Sequence, residues 1–287
     1  MQDCIIIGGG PAGLTAALYL ARFLRRVTVF DAGEGRAQMI PTTHNLGPFS
    51  DGISGPDLLR RMRDSAERYG ARIEHDWVTA VERQGDAFRF TTERSFLTAR
   101  YVILATGVFN HRPPLSAEDH LAGLRRGLIR YCPVCDAYEI RDKRVAVLGS
   151  GAHGLAEARF LHTYSPSVML IPPDGAMPEA QDEIAVPDAP LRDLALSETQ
   201  VLVTLATGRQ LSFDTLYVAL GTSARSGLAT LMGAGLTENF HIRVDAQQCT
   251  SVDGVYAVGD VTEGLDQIAV AMGQAAIAAT AIHNALY

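Results

Sequence analysis

The sequence predicts an α/β fold of parallel strands and covering helices, and three stretches carry that expectation. Cys4-Ile5-Ile6-Ile7 runs into Gly8-Gly9-Gly10-Pro11-Ala12-Gly13 and then a helical pattern through Leu14, Ala17, Leu18 and Ala21. Val145-Ala146-Val147-Leu148 repeats the pattern, leading to Gly149-Ser150-Gly151-Ala152-His153-Gly154 and a helix through Phe160. Between them lies Tyr131-Cys132-Pro133-Val134-Cys135-Asp136, which holds the only closely spaced thiols. Short, continuously apolar strands suit a parallel sheet covered on both faces.

Bulk properties bound the function. A chain of 287 residues favours about two domains with ample core. Hydrophobic content of 47% with 20% charged residues is that of a globular protein. A formal net charge of −7 argues against general nucleic-acid binding. Four cysteines in such a chain are no disulfide scaffold, and one Cys-x-x-Cys pair reads as a cytosolic redox protein. Met1-Gln2-Asp3 lacks a basic leader region, so no signal peptide is expected. The apolar run from Ala269 to Ile282 is shorter than the roughly 20 residues of a membrane span and reads as a buried helix.

In chain order, the first glycines permit a tight turn and close approach of a pyrophosphate to the helix N-terminus. Val27-Thr28-Val29-Phe30 is the next strand and ends at Asp31, placed to accept from a ribose hydroxyl. Gly35 to Asp51 is a loop in which Gln38, His44 and Asn45 are candidate cofactor contacts or plain turn formers. Pro56 to Tyr69 is an amphipathic helix ending at Gly70, with Arg60, Arg61 and Arg63 as a solvated face. The runs Ala71 to Glu74, Trp77 to Glu82, Phe88 to Thr92 and Phe96 to Ala99 suggest an inserted antiparallel sheet. Tyr101 to Ala105 is a central strand closing on Thr106-Gly107, and Arg112-Pro113-Pro114 is a candidate linker.

Two cysteines separated by two residues can close a small disulfide ring and lower the pKa of one thiol. Asp136 beside them is placed to move the accompanying proton. A zinc site needs further ligands at comparable spacing, and Cys4 and Cys249 stand far away, so no metal is expected. Arg125, Arg126 and Arg130 read as solvated basic surface, and His153 as a surface residue of its loop. The second unit's partner strand, Val168-Met169-Leu170-Ile171, ends in Pro172-Pro173-Asp174, and no Lys or Arg occurs between Arg159 and Arg192. That strand end offers nothing to a nucleotide 2′-phosphate. Pro172 to Pro190 reads as an exposed loop, and Val201 to Leu205 with Gln210 to Phe213 as a hairpin. Leu216 to Gly221 and Val255 to Gly259 are further apolar strands. Asp260 is placed to accept a ribityl hydroxyl, and Gln267-Ile268 opens a last helix whose dipole favours negative charge nearby.

Together with Leu104-Ala105-Thr106-Gly107 and Gly254 to Val261, these motifs resemble, in order and over nearly the full length, the low-molecular-weight thioredoxin reductase family. These are FAD-dependent members of the pyridine nucleotide-disulfide oxidoreductase superfamily. The resemblance implies two Rossmann-like three-layer (ββα) dinucleotide-binding domains, the second inserted into the first. An FAD-binding domain is expected at 1–112 and 224–287, with an NAD(P)-binding-like domain carrying the Cys-x-x-Cys motif at 113–223. Implied FAD contacts are Gly8, Gly10, Pro11, Ala12, Gly13, Asp31, Gln38, Asn45, Val78, Thr106, Gly107, Gly259, Asp260, Gln267 and Ile268. Cys135 is expected to face flavin C4a, Cys132 to attack the substrate disulfide, and Asp136 to give and take the proton. A cytoplasmic homodimer is implied, with domain rotation offering the dithiol in turn to flavin and to a thioredoxin-like protein or small-molecule disulfide. No nucleic-acid or membrane partner is implied.

The chain departs from the family in three places. Pro172-Pro173-Asp174 replaces the arginine clamp for the NADPH 2′-phosphate, the segment before Leu216 is short, and Asp266 stands where an arginine precedes the flavin-contacting glutamine. The degenerate clamp keeps open an NADH-dependent or ferredoxin-dependent reductase, or a dithiol oxidase that passes electrons to oxygen. Asp136 favours the reductase, because the oxidases tend to carry His there. A flavin-bound sensor without turnover has no need of the thiol pair.

Overall fold

The structure is a computed structural model and describes residues 1–174 and 184–287. The described residues form two compact units, one of Met1–Gln38, Ser54–Phe109 and Ser223–Tyr287, the other of Met39–Ile53 and Asn110–Thr222.

The first unit begins with β1 (Gln2–Ile7), α1 (Pro11–Arg22) and β2 (Val27–Phe30), followed by a short 3₁₀ turn at Arg36–Met39. Then come α2 (Gly55–Arg68), β3 (Arg72–Glu74), β4 (Val78–Gln84), β5 (Ala87–Thr92), β6 (Phe96–Leu104) and β7 (Val108–Asn110). Helix α2 starts where Ser54 accepts from the Asp57 N–H at 3.2 Å beside a first-turn proline. It stops before Gly70, whose φ of +97° continues no helix.

Two expectations are corrected here. β3 pairs in parallel with β2, matching Arg72 to Thr28, so it closes a β2–α2–β3 crossover instead of joining the antiparallel insert. Phe96 to Leu104 is one continuous strand. Its first half pairs antiparallel with β5 and its second half parallel with the last strand of the unit, which is why it read as two elements.

In the second unit come α3 (Ala117–Arg125), β8 (Ile129–Arg130), α4 (Pro133–Asp136), β9 (Val145–Gly149), α5 (Gly151–His162) and β10 (Val168–Ile171). An antiparallel meander of β11 (Leu191–Leu196), β12 (Val201–Leu205) and β13 (Gln210–Phe213) precedes β14 (Thr215–Ala219). The parallel sheet has the order β10-β9-β14-β8 and is covered on both faces by apolar side chains, including Leu148 and Val218 on one and Val147 and Tyr217 on the other. The stretch read as an exposed loop after Pro172 is corrected at its far end. Ile184 is buried and Ala185 bridges to Met169 of β10, while 175–183 lie outside the described residues.

The chain re-enters the first unit through β15 (Thr222–Ala224) and α6 (Gly227–Leu231) and ends with β16 (Val255–Ala257) and α7 (Ile268–Ala285). The first sheet reads β3-β2-β1-β6-β5-β4, with β16 also on β6. Helix α7 is long and apolar enough to cross a membrane by length and composition alone. Its Ala271, Ala275, Ala278 and Ala279 are buried in one core with Ala16, Ala17 and Leu20 of α1. Small side chains let the two helices approach closely, which explains the alanine-rich pattern.

Candidate dithiol and cofactor sites

Cys132 and Cys135 form a disulfide with Cα atoms 5.2 Å apart. Pro133 starts α4 directly after Cys132, and the Cys135 N–H donates to the Cys132 carbonyl at 2.9 Å, so the local turn brings the sulfurs together. Among the described residues no group of three or more His, Cys, Asp or Glu is arranged to hold a metal.

Asp136 closes α4 and is held from two strands. Arg130 Nη1 donates to Asp136 Oδ2 at 2.6 Å, and the Tyr217 hydroxyl donates to Oδ1 at 2.7 Å. Burial pushes the Asp136 carboxyl above its ordinary range, against Arg130 and Tyr217, which favour the anion. Burial and the neighbouring Asp136 charge push the Tyr217 phenol upward, so it stays a donor. Arg130 is therefore no solvated surface charge, as its sequence context suggested; its side chain is 14% exposed and ion-paired. On the other side of the motif, Tyr131 pairs with buried His120 at 2.7 Å, and burial pushes Tyr131 up to about 12.

The first unit gathers its Gly-rich turns at the carboxyl ends of its parallel strands, where such sheets bind ligands. A Cβ on Gly8 would lie 2.1 Å from the Ala105 carbonyl oxygen, and one on Gly13 1.9 Å from that of Gly8. Glycine is thus required where β1 turns into α1 and passes β6. Gly10 caps α1 with open space in front of its missing Cβ, no side-chain cap is present, and Pro11 and Ala12 begin a first turn free of acids. This helix end fits an anionic pyrophosphate.

Gly259 packs a would-be Cβ at 3.0 Å from Ala12, and its N–H donates to Gln274 Oε1 at 2.7 Å. That contact brings Asp260 to the same edge. Thr106 donates to the Arg225 carbonyl at 2.7 Å, and Gly107 turns with φ of +67°. The site residues Gly8, Gly10, Pro11, Ala12, Gly13, Thr106, Gly107, Gly259 and Asp260 thus meet at one sheet edge.

Asp31, at the end of β2, stands against Gly9, accepts from the Gly33 N–H at 3.0 Å and pairs with Arg63. Arg63 was expected on a solvated face; it instead forms an ion pair with Asp31. Gln38 lies in the 3₁₀ turn, and Gln267 caps α7 ahead of Ile268. Val78 buries its side chain in the core. Asn45 belongs to the other unit, where its Oδ1 accepts from Thr43 at 2.8 Å. Arg36 Nη1 lies 3.1 Å from Asp260 and 2.7 Å from Asp266. Burial and Asp266 push Asp260 above its ordinary range, and Arg36 opposes them.

The second Gly-rich turn is equally close-packed, with a Cβ on Gly154 falling 2.8 Å from the Gly149 carbonyl carbon. His153 is exposed, as expected, and lies 3.3 Å from Glu157, whose carboxyl burial pushes up to about 7. Reading the sequence missed Arg36, Arg63, Arg130 and Tyr217 as members of these sites. Their local sequence does not mark the acids they pair with: Arg130, Tyr217 and Arg63 meet theirs through the way strands and helices pack, and Arg36 through loops more than 200 residues apart.

The pyridine nucleotide-disulphide oxidoreductase family model matches residues 2–186 and 190–275. A thioredoxin reductase of Streptomyces coelicolor is 34% identical over 92% of this chain and 87% of its own length. One of Treponema pallidum is 31% identical over 97% of this chain and 95% of its own. The crystal structure of thioredoxin reductase from Streptococcus pyogenes superposes with a TM-score of 0.90 at 28% identity, covering 100% of this chain and 98% of that one. With a family model over most of its length and relatives above 30% identity over most of both chains, the chain belongs to the pyridine nucleotide-disulphide oxidoreductases as an FAD-dependent disulfide oxidoreductase of thioredoxin reductase type.

Proposed function

We propose that Gly8, Gly10, Pro11, Ala12, Gly13, Asp31, Gln38, Val78, Thr106, Gly107, Gly259, Asp260, Gln267 and Ile268 of the first unit hold the FAD. The second unit is then the NAD(P)-type domain that presents the dithiol. The observation that carries this reading is the Cys132–Cys135 disulfide with Asp136 held directly beside it. Bound FAD supplies the two-electron carrier that a thiol pair needs. Opening the disulfide takes up two electrons and two protons. Cys135 is the thiol on the flavin side, Cys132 attacks the substrate disulfide, and Asp136 delivers or accepts one proton at the thiols. The partner is a thioredoxin-like protein, and the working form is a cytoplasmic homodimer.

One observation favours a second reading of where electrons enter. β10 ends at Pro172-Pro173-Asp174 and no Lys or Arg follows before Arg192, so a 2′-phosphate finds no cationic partner there. The strand end counts against NADPH and leaves NADH or a reduced ferredoxin as donor, or oxygen as acceptor in a dithiol oxidase with a small-molecule dithiol substrate.

The test begins with colour. Purified protein is expected to be yellow and to release FAD on denaturation, and Cys132→Ser and Cys135→Ser are each expected to abolish thiol turnover with FAD retained. A folded, colourless protein that cannot be reconstituted refutes the cofactor assignment, and full turnover by either variant refutes the dithiol.

A further inference from the structure

Strands β8 and β14 run parallel with Tyr217 opposite Arg130, so the two side chains leave adjacent positions at the edge of one sheet. Each takes a different oxygen of Asp136. Tyr217 is fully buried within an apolar core, and a buried phenol needs an acceptor for its hydroxyl. A phenylalanine would pack the same space without that need, so the hydroxyl is present for the carboxylate.

We propose that Arg130 and Tyr217 are positioning residues for the dithiol reaction, orienting Asp136 beside the Cys132–Cys135 pair and setting the pH at which it exchanges its proton. The inference rests on reading Asp136 as the proton carrier of that pair. The groups acting on Asp136 pull in opposite directions. Arg130 from β8 and Tyr217 from β14 stabilise the anion, while burial and Glu139, in the turn after α4, oppose it. Helix α5 packs on α4 and carries Glu157 and His153, which lie 3.3 Å from each other. Arg130 Nε and Glu139 Oε2 are buried with no hydrogen-bond partner among the described residues. Asp136 is therefore the hydrogen-bonded acceptor that Arg130 has in this cluster among the contacts described, and protonating it leaves the guanidinium less well compensated, which favours the anion.

The test uses FAD-loaded protein, reduced anaerobically with dithiothreitol, freed of the reductant and pulsed with iodoacetamide across a pH series. Labelling of the peptide bearing Cys132 and Cys135 is followed by mass spectrometry. The wild-type rate–pH profile is expected to carry an inflection from Asp136 besides the thiol titration, and D136N to lack it. Y217F and R130M each remove a partner of the anion, so each moves the inflection to higher pH by about one unit, a tenfold change in proton affinity. R130K retains the cation and moves it less. Y217F, which deletes one hydroxyl, keeps the test decisive should R130M fail to fold. An inflection unmoved in Y217F and R130M but absent in D136N overturns the proposal and leaves Asp136 as proton carrier. A D136N profile identical to wild type overturns both.

Discussion

Arg36 reaches Asp266 at 2.7 Å, so a cation from the 3₁₀ turn stands beside position 266, where the family's expected arginine is an acid. The same nitrogen also serves Asp260. Arg36→Ala leaves two carboxylates facing each other without a cation. The loss of charge-assisted bonds in a mostly shielded site costs about 1–3 kcal/mol. Fluorescence titration is expected to show FAD retained at least about fivefold less tightly.

Gly10→Ala separates the fold from the cofactor. Its Cβ meets nothing within 4 Å, so thermal unfolding of the protein stripped of FAD is expected to match that of wild type. The methyl group enters the space in front of α1, and FAD reconstitution is expected to fail or to weaken by an order of magnitude or more. Equal FAD affinity would move the pyrophosphate away from this turn.

NADPH is expected to bleach the flavin's visible absorbance slowly or not at all in anaerobic stopped flow. Two lost phosphate contacts of roughly 1.5–3 kcal/mol each weaken binding at least about 100-fold. Rapid stoichiometric bleaching at micromolar NADPH would show that cations elsewhere replace the missing clamp.

Glu157 predicts a pH-dependent stability. Its carboxyl rises from 4.5 to about 7 in the folded chain because of burial. Between those values the folded state holds a proton that the unfolded state has lost, so this residue's contribution falls as pH rises. The full difference is on the order of 2–3 kcal/mol. Glu157→Gln is expected to melt like wild type near the acid end of that window and about 5 °C higher above it, by circular dichroism.

The strand–turn–helix units were legible because each is local. Ile5 through Gly13 and Val147 through Gly154 carry their own periodicity and glycine spacing, and Cys132 to Asp136 its own chemistry. What was not legible depends on partners distant in sequence. β3 was misassigned because three residues show no preference between parallel and antiparallel neighbours. Phe96 to Leu104 was divided because its two halves pair with different strands. Arg63 looked like a solvent-facing charge because Asp31 lies 32 residues away, and Arg130, only six residues before Asp136, did so because it sits in a run of basic residues and the pairing depends on how β8 and α4 fold together. The Tyr217 hydroxyl was hidden inside an apolar run whose pattern asks only for burial.

The order in which the chain is made gives the β8–β14 pairing a further consequence. Tyr217 follows Asp136 by 81 residues, so a nascent chain displays Cys132 and Cys135 well before β14 can dock. Until then Asp136 lacks the Tyr217 hydroxyl, and its full set of partners is assembled only when β14 has docked. A synthetic hexapeptide of Tyr131-Cys132-Pro133-Val134-Cys135-Asp136 would accordingly form the same ring but lack the proton-handling of the folded protein.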